Sequence, residues 1–213
     1  MSTDIKFIEA MISRICHDLI SPISAVTNGA ELVADLGTVD ATDDAFDLIR
    51  DSAESASVKL QAFRLAYGAG GAEWHVSIDD VKKAFGDYVA LEKRCALVWS
   101  VIKENLPHPL KKGLPKMVML SLMWAIESMP RGGEIKIDAT RLGEETAKFN
   151  ITASGIGAQL REGAREVFEN SEELSELNPK LVHSAAIGYY ASSYGIQVSV
   201  AEGDGQVSFT VTG

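Results

Sequence analysis

The stretch Ser13-Arg14-Ile15-Cys16-His17-Asp18-Leu19-Ile20-Ser21-Pro22 decides how the first part of this chain folds. It lies inside a longer segment, residues 4–37, in which apolar residues recur at steps of three and four. That period predicts one long amphipathic helix. The apolar stripe consists of Ile8, Met11, Ile12, Ile15, Leu19, Ile23, Val26, Ala30 and Val33.

A polar row follows the other side of this predicted helix. At about 100° per residue, His17 lies roughly 200° from both Ile15 and Leu19, so its imidazole is expected to point to solvent. A surface histidine on a helix most often has no special role, and periodicity alone does not favour one for His17; its neighbours do. The row consists of Arg14, His17, Ser21, Ser24, Asn28, Glu31 and Asp35.

The residues around His17 suit a nucleophilic histidine. Neutral imidazole carries a free lone pair near neutral pH. A carboxylate beside it, here Asp18, can hold one ring N–H and leave the other nitrogen free to attack. Arg14 and Ser21, about one turn away on either side, offer a cation and a hydrogen-bond donor to an anion held at His17. Pro22 costs about 3 kcal/mol inside a helix and bends it, so its presence favours a packing or functional reason.

A second helix is predicted after a short turn. The first helix ends near Leu36 with Gly37 as its C-terminal cap, and Asp40 or Thr42 caps the next, which runs to about Tyr67. Because a lone antiparallel hairpin cannot bury both of its faces, we expect two copies to pair as a homodimer with a four-helix bundle. The apolar row of the second helix is Ala45, Phe46, Ile49, Ala53, Ala56, Leu60, Phe63 and Tyr67.

Three glycines in residues 68–72 indicate a linker, which divides the chain into a hairpin domain, 1–69, and a second domain, 70–213. The second domain is predicted to be α+β, with helices on one face of a mixed sheet. Strands are expected at 74–78, 97–102, 134–140, 147–153, 196–201 and 206–212. Helices are expected at 78–93, 115–128, 158–170 and 179–194.

Composition excludes several function classes. The 213 residues carry a net charge of −10, which disfavours nucleic acid and anionic membranes as partners. The N-terminus lacks the pattern of a signal peptide, and the longest apolar stretch, 117–126, is too short to span a bilayer. Cys16 and Cys95 form no disulfide or metal pattern and are predicted to be small core residues of a reduced, cytoplasmic protein.

The motif His17-Asp18-Leu19-x-Ser21-Pro22-Ile23, followed by Asn28-Gly29-Ala30-Glu31, resembles the phosphoacceptor H-box of two-component histidine kinases. Asp18, directly after His17, and the segment Asn28-Gly29-Ala30-Glu31 resemble the corresponding part of the ChpT-type histidine phosphotransferases of alphaproteobacteria. The order of elements in the second domain resembles the Bergerat-type ATP-binding domain of histidine kinases. The resemblance covers essentially the whole chain and implies a helical hairpin followed by a histidine-kinase-type α/β sandwich.

Three nucleotide determinants of that kinase domain are missing here. Ser121 and Trp124 stand where the family carries a magnesium-binding Asn, and neither offers a carboxylate or amide oxygen to a hard cation. The loop 153–157, Ala-Ser-Gly-Ile-Gly, keeps the glycines but lacks the Asp that reads adenine. Residues 183–188 replace the glycine-rich lid with a helical sequence. We therefore expect a degenerate domain that binds neither ATP nor a metal ion.

The resemblance implies a histidine phosphotransferase of a multistep phosphorelay. His17 would take a phosphoryl group from the receiver domain of a hybrid histidine kinase and pass it to response regulators, one of them a cell-cycle transcription factor. Asp18 would hold the His17 tautomer, Arg14 and Ser21 would offset phosphoryl charge, and the receiver would supply Mg²⁺. The docking face would consist of Ile20, Ser24, Ala25 and Asn28.

Two other functions stay open from the sequence: an ATP-dependent histidine kinase core, and a non-enzymatic dimeric adaptor that binds response regulators. His75 and His108 are predicted to be surface or structural histidines. His183 starts a predicted helix without a neighbouring carboxylate, and no spacing among the histidines indicates a zinc site. The core is predicted to include Met117, Met119, Met123 and Met129.

Overall fold

A computed structural model of the chain describes residues 3–36, 39–68, 76–172 and 176–213. Short 3-10 turns lie at Lys103–Asn105 and Pro179–Leu181. The helices are α1 (Thr3–Leu36), α2 (Val39–Tyr67), α3 (Ile78–Leu91), α4 (Leu114–Glu127), α5 (Ala164–Glu169) and α6 (Val182–Tyr194). The strands are β1 (Cys95–Trp99), β2 (Gly133–Arg141), β3 (Ala147–Ser154), β4 (Gln197–Gly203) and β5 (Gln206–Thr212).

Helices α1 and α2 form the predicted antiparallel hairpin. The reversed register is visible in two contacts, because Asp18 lies beside Lys59 while Gly29, further along α1, lies beside Ile49. A Cβ on Gly29 would stand 2.6 Å from a side-chain carbon of Ile49, so the missing side chain lets the two helices approach closely. Helix α1 continues unbroken through Pro22.

A mixed five-stranded sheet follows, in the order β1-β2-β3-β5-β4. Strand β1 runs parallel to β2, and the other neighbours are antiparallel. Burial alternates along β3 and β5, where Phe149 and Ile151 lie beside Val211 and Phe209 on the covered face. Because the helices cover that face, the predicted α+β arrangement with helices on one side of a mixed sheet is confirmed.

Helix α4 is the centre of the core. Its residues from Leu114 to Ile126 are all buried, and it contacts α2, α3 and α6 as well as the sheet. The four methionines are buried in this core as predicted. Trp124 packs with its ring 5.1 Å from Phe209 and 5.7 Å from Phe168, measured between centroids.

The hairpin and the sheet half share one hydrophobic core. At the start of α1, Phe7 stacks on Tyr189 of α6 with 5.4 Å between ring centroids. At the end of α2, Tyr67 stacks on His183 of α6 at 5.9 Å. Lys116 of α4 donates to the carbonyl of Gly68 at 2.7 Å. The end of the hairpin that contains the start of α1 and the end of α2 therefore packs against α4 and α6.

Several predicted boundaries are wrong. No strand is present at the described positions 76–78, because Ser77 accepts a hydrogen bond from the Asp80 amide at 3.1 Å and caps α3, which starts at Ile78. Helix α2 starts at Val39, so the two proposed caps, at positions 40 and 42, lie inside it. The predicted cap at 37 and the linker glycines at 70 and 71 fall outside the described residues, as do positions 74 and 75.

The helix predicted at 158–170 is much shorter, because α5 begins only at Ala164. Gly163 has φ +78°, a left-handed conformation that interrupts a right-handed helix. The helix predicted at 179–194 starts as the 3-10 turn and becomes α6 at Val182. Strand β1 begins two residues before the predicted start at 97 and ends at Trp99.

Replacing Gly188 by Ala should destabilise the fold, although alanine is the better helix former. A Cβ at this position of α6 would stand 2.3 Å from the carbonyl oxygen of Phe168 and 2.5 Å from Oγ of Ser171. We expect a loss of about 2 kcal/mol in the free energy of unfolding, as for other overpacked sites. Gly86 in α3 has nothing within 4 Å of its missing Cβ. The matched variant Gly86→Ala should therefore gain about 0.5–1 kcal/mol in the same urea titration. Equal effects at both sites would contradict the packing argument.

Candidate functional site

The imidazole of His17 stands on the exposed side of α1. Its side chain is 83% exposed, and Nδ1 lies 3.0 Å from Oδ1 of Asp18. A carboxylate accepts a proton and has none to give when ionised, so this contact places the ring proton on Nδ1. Nε2 then carries the free lone pair. The predicted pairing of an exposed histidine with its neighbouring carboxylate is thus present in the structure.

Asp18 is held from its other side by Arg14, one turn earlier on α1. Nε of Arg14 donates to Oδ2 of Asp18 at 2.7 Å, and the carboxylate is only 16% exposed. Burial by itself raises the pKa of Asp18, but the hydrogen bond from His17 and the charge of Arg14 outweigh it and hold the pKa below its ordinary value. Asp18 therefore stays ionised at neutral pH.

Arg14 also reaches the second half of the molecule. One of its terminal nitrogens lies 2.8 Å from Oε1 of Glu127, the last residue of α4. The same oxygen lies 3.1 Å from Nδ1 of His183 in α6. Both contacts are close but lack the alignment of a good hydrogen bond. The expectation that His183 lacks a neighbouring carboxylate is wrong in three dimensions, because α4 supplies one.

The backbone carbonyl of Asp18, next to His17, accepts a hydrogen bond from the second helix of the hairpin. Pro22 has no N–H, so the carbonyl four residues earlier, that of Asp18, loses its helical donor. Nζ of Lys59, on α2, donates to this carbonyl at 3.3 Å. The second helix of the hairpin thus supplies the partner that the proline removes, and α1 stays helical through the site.

The other predicted site residues lie on the same stretch of α1. Ser21, Ile20, Ser24 and Asn28 are exposed, with Ile20 at 65%, and Ala25 is half-buried. They extend from the His17 region towards the hairpin tip. One prediction about this stretch is wrong: Cys16 is an exposed residue instead of a core residue, and Cys95 is half-buried.

Sequence reasoning missed Glu127 and His183. A signal for Glu127 was available, because it is a carboxylate in the last turn of a mostly apolar helix. The negative end of a helix dipole disfavours an acid at that position, so a cation is needed nearby. Burial raises the pKa of Glu127, but His183 and Arg14 outweigh this and hold the pKa below its ordinary value. No local pattern marks His183.

The positions that correspond to nucleotide determinants in kinases belong to the core or to ordinary elements. Ser121 and Trp124 are buried in α4, and residues 183–188 form part of α6. Ile156, in the loop after β3, is 74% exposed. Within the described ranges, no group of three or more His, Cys, Asp or Glu side chains is placed to hold a metal ion. Over the same residues, none of the helices combines the length and the apolar character needed to cross a membrane.

The exposed histidine and its neighbouring carboxylate thus lie on a helical hairpin that is joined to an α+β domain. The model of the histidine phosphotransferase C-terminal domain family matches residues 78–206, which is more than half of the chain. The chain therefore belongs to the histidine phosphotransferase family.

Individual relatives agree with this assignment. Protein phosphotransferase ChpT of Brucella abortus (strain 2308) is 37% identical over 148 residues, which are 68% of this chain and 66% of that protein. The alignment thus spans slightly less than two thirds of the relative. The solved structure of a bacterial phosphotransferase superposes with a TM-score of 0.80 at 25% identity, over 97% of this chain and 96% of the other. The chain is therefore similar to the ChpT-type members of this family in sequence, and to a bacterial phosphotransferase in fold.

Proposed function

We propose that this chain carries a phosphoryl group on His17 between the receiver domains of a multistep phosphorelay. The observation that carries the proposal is the 3.0 Å contact of Nδ1 with Asp18 on a ring that is otherwise open to solvent. Phosphoryl transfer to a histidine needs a nitrogen that is both unprotonated and accessible. The contact leaves Nε2 unprotonated, and the exposure of the ring makes it accessible.

The transfer takes place between an aspartyl phosphate of the receiver and Nε2 of His17. The P–N bond forms as the P–O bond to the aspartate breaks, and the aspartate leaves as a carboxylate with the bonding electron pair. The imidazole keeps its proton on Nδ1 and becomes cationic, and Asp18 faces that charge. Catalysis of such a loose transition state consists mainly of alignment and charge neutralisation. The return step to the next receiver reverses these changes.

Arg14 and Ser21 have different roles in this proposal. The guanidinium of Arg14 is shared by two carboxylates and is 17% exposed, which supports a role in holding Asp18 more than direct contact with the phosphoryl group. Ser21 is exposed one turn after His17 and can donate to a phosphoryl oxygen. We assign the Mg²⁺ of the reaction to the receiver domain.

The second half is proposed to bind no ATP. Trp124 stands where the related kinases carry their magnesium-binding residue, and its ring packs between Phe168 and Phe209 in the core. The phosphoryl group then comes from a donor protein, which we propose to be the receiver of a hybrid histidine kinase. The acceptors are response regulators, including a cell-cycle transcription factor, and the relay operates in the cytoplasm.

The receiver is proposed to dock on the exposed stretch of α1 that follows His17. This surface combines an apolar side chain, Ile20, with the small or polar residues Ser24, Ala25 and Asn28. Such a mixture suits an interface that forms and dissociates at each transfer.

The hairpin is proposed to pair with a second copy of the chain. Its open apolar face consists of residues that are about half exposed in the single chain: Ile8 (47%), Ile12 (52%), Ile23 (54%), Phe46 (55%) and Leu60 (55%). Around α1, His17 lies about 140° from Ile12. Pairing through this face therefore leaves the phosphoacceptor accessible and completes a four-helix bundle.

A transfer assay without ATP tests the proposed function. A panel of receiver domains from hybrid kinases is labelled with radioactive phosphate, freed of ATP and mixed with wild type or His17→Ala in the presence of Mg²⁺. We expect acid-labile label on the wild-type chain and none on the variant. Loss of the nucleophile removes the reaction altogether, so the contrast should exceed a factor of 1,000.

Two outcomes would replace the proposal with the rival functions. Label on the chain from radioactive ATP alone would make it a histidine kinase. Absence of label from every receiver, combined with measurable binding of receivers to the intact chain, would make it an adaptor. If the His17→Ala variant still accepts label, the phosphoacceptor is a residue other than His17.

A further inference from the structure

A largely buried row of ionisable side chains connects the second half of the molecule to the phosphoacceptor helix. It runs from Asp18 to Arg14 on α1, from Arg14 to Glu127 on α4, and from Glu127 to His183 on α6, with atom separations of 2.7, 2.8 and 3.1 Å. His183 is 1% exposed. Only His17, at the other end beside Asp18, is open to solvent.

The carboxylate of Glu127 needs a compensating positive charge. It is nearly buried and stands at the C-terminal end of α4, where the helix dipole repels an acid. Arg14 supplies one compensating charge, and His183 lies against the same oxygen. His183 is itself held by Tyr67, whose ring stacks on the imidazole. The ring's other nitrogen, Nε2, has no hydrogen-bond partner in the described part of the chain.

The guanidinium of Arg14 contacts two carboxylates, those of Asp18 and Glu127. Nε serves Oδ2 of Asp18, while a terminal nitrogen is drawn to Glu127. Oδ1 of Asp18 is therefore left for Nδ1 of His17. Without the charge of Glu127, the guanidinium of Arg14 would be free to donate to both oxygens of Asp18, in the bidentate geometry that arginine–carboxylate pairs commonly adopt. His17 would then lose its acceptor.

We propose that Glu127 and His183 are positioning residues of the phosphotransfer site. From two helices of the second half they anchor Arg14, and through it they keep one oxygen of Asp18 available to fix the His17 tautomer. The α+β half thus has a role in the chemistry of the hairpin. This inference rests on the proposed function, in which His17 accepts the phosphoryl group through Nε2.

The test uses the full-length variant Glu127→Gln, which keeps the shape and removes the charge. Transfer from a labelled receiver should slow about 10-fold, in the range typical of residues that orient a reacting ligand through another group. Nitrogen NMR of ¹⁵N-histidine-labelled protein should show less of the Nδ1–H tautomer of His17. The matched control is Glu134→Gln, which removes an exposed carboxylate that pairs with Lys136 on β2. It should change neither the rate nor the tautomer.

A double-mutant comparison separates positioning from a general loss of structure. In an Asp18→Asn background, Glu127→Gln should slow transfer by less than a further twofold. The reason is that Glu127 acts on His17 through the carboxylate of Asp18, which this background lacks. If Glu127→Gln does not fold, as judged by circular dichroism, His183→Gln takes its place with the same expected direction and a smaller effect.

Failure of this inference can be distinguished from failure of the proposed function. If the wild-type chain never takes label on His17, the proposed function is wrong. If the wild type is labelled and Glu127→Gln matches it in rate and tautomer, the positioning role is overturned. A slower variant with an unchanged tautomer and a full additive loss in the Asp18→Asn background would also overturn it, because the effect would then bypass Asp18.

Discussion

Replacement of Asp18 by Asn should slow phosphoryl transfer to His17 about 100-fold. The amide has the size of the carboxylate, but it is neutral and can turn its NH₂ group towards Nδ1 of His17. It then no longer fixes the ring proton there or faces the positive charge that develops on the imidazole. Single-turnover transfer from a labelled receiver, followed at saturating receiver concentration, measures the effect.

The control for this variant is Asp138→Asn. Asp138 lies on β2, where Oδ1 accepts a hydrogen bond from Asn150 on the uncovered face of the sheet. This change removes the same charge and should leave the transfer rate within twofold of wild type. Equal rates for Asp18→Asn and wild type would show that the carboxylate does not control the tautomer.

The free energy of unfolding of wild type and that of Asp18→Asn should also depend differently on pH. Because the folded-state pKa of Asp18 is held below its ordinary value, the carboxylate stabilises the fold above the unfolded pKa of about 4. The advantage of wild type over Asp18→Asn in urea titrations should therefore be constant between about pH 5 and 8. It should shrink as the pH falls below about 4. An advantage that instead grows with acid would contradict the direction of this pKa shift.

Substitution of Ile12 by Asp should dissociate the proposed dimer. In a two-fold symmetric bundle the residue occurs twice, so the variant would bury two like charges in an apolar interface. We expect the dissociation constant to rise by more than 100-fold. Sedimentation velocity over a range of protein concentrations measures the change, with wild type sedimenting as a dimer.

The matched control is Leu142→Asp in the turn between β2 and β3. Leu142 is 57% exposed, slightly more than Ile12, but it lies in the sheet half of the molecule. The same charge at this position should leave the dimer intact. A wild-type chain that sediments as a monomer at all concentrations would refute the dimer, and dissociation by Leu142→Asp alone would move the interface to the other half.

Regular periodicity made most of the fold predictable. The stripe that contains Ile8, Ile15 and Val26 predicted α1 because a helix of 34 residues repeats its period many times. The alternation of apolar and polar residues did the same for β3 and β5. The errors fell on short elements, where one local interaction decides the outcome. Ser77 caps α3 in place of a predicted strand, and Gly163 delays the start of α5.

The candidate site was predictable only along one helix. His17, Asp18 and Arg14 are neighbours within about one turn, so their mutual reach follows from helix geometry alone. Glu127 and His183 come from positions more than 100 residues away, and no spacing rule connects them to α1. The mistaken burial of Cys16 has a related cause, since it borders the apolar stripe and a period alone does not define the edge of a buried face.

Sequence alone was enough to predict the amphipathic hairpin and the exposed histidine beside its carboxylate, and to show that the Asn and the Asp of the histidine-kinase nucleotide motifs are missing. These features depend on residue identity and on local helical repeats. The packing of the helices fixes which groups surround the carboxylate of Glu127, which donor replaces the N–H that Pro22 lacks, and how the second half holds Arg14. Those choices depend on how α2, α4 and α6 pack against α1, because groups that are distant in sequence meet only when the helices share one core.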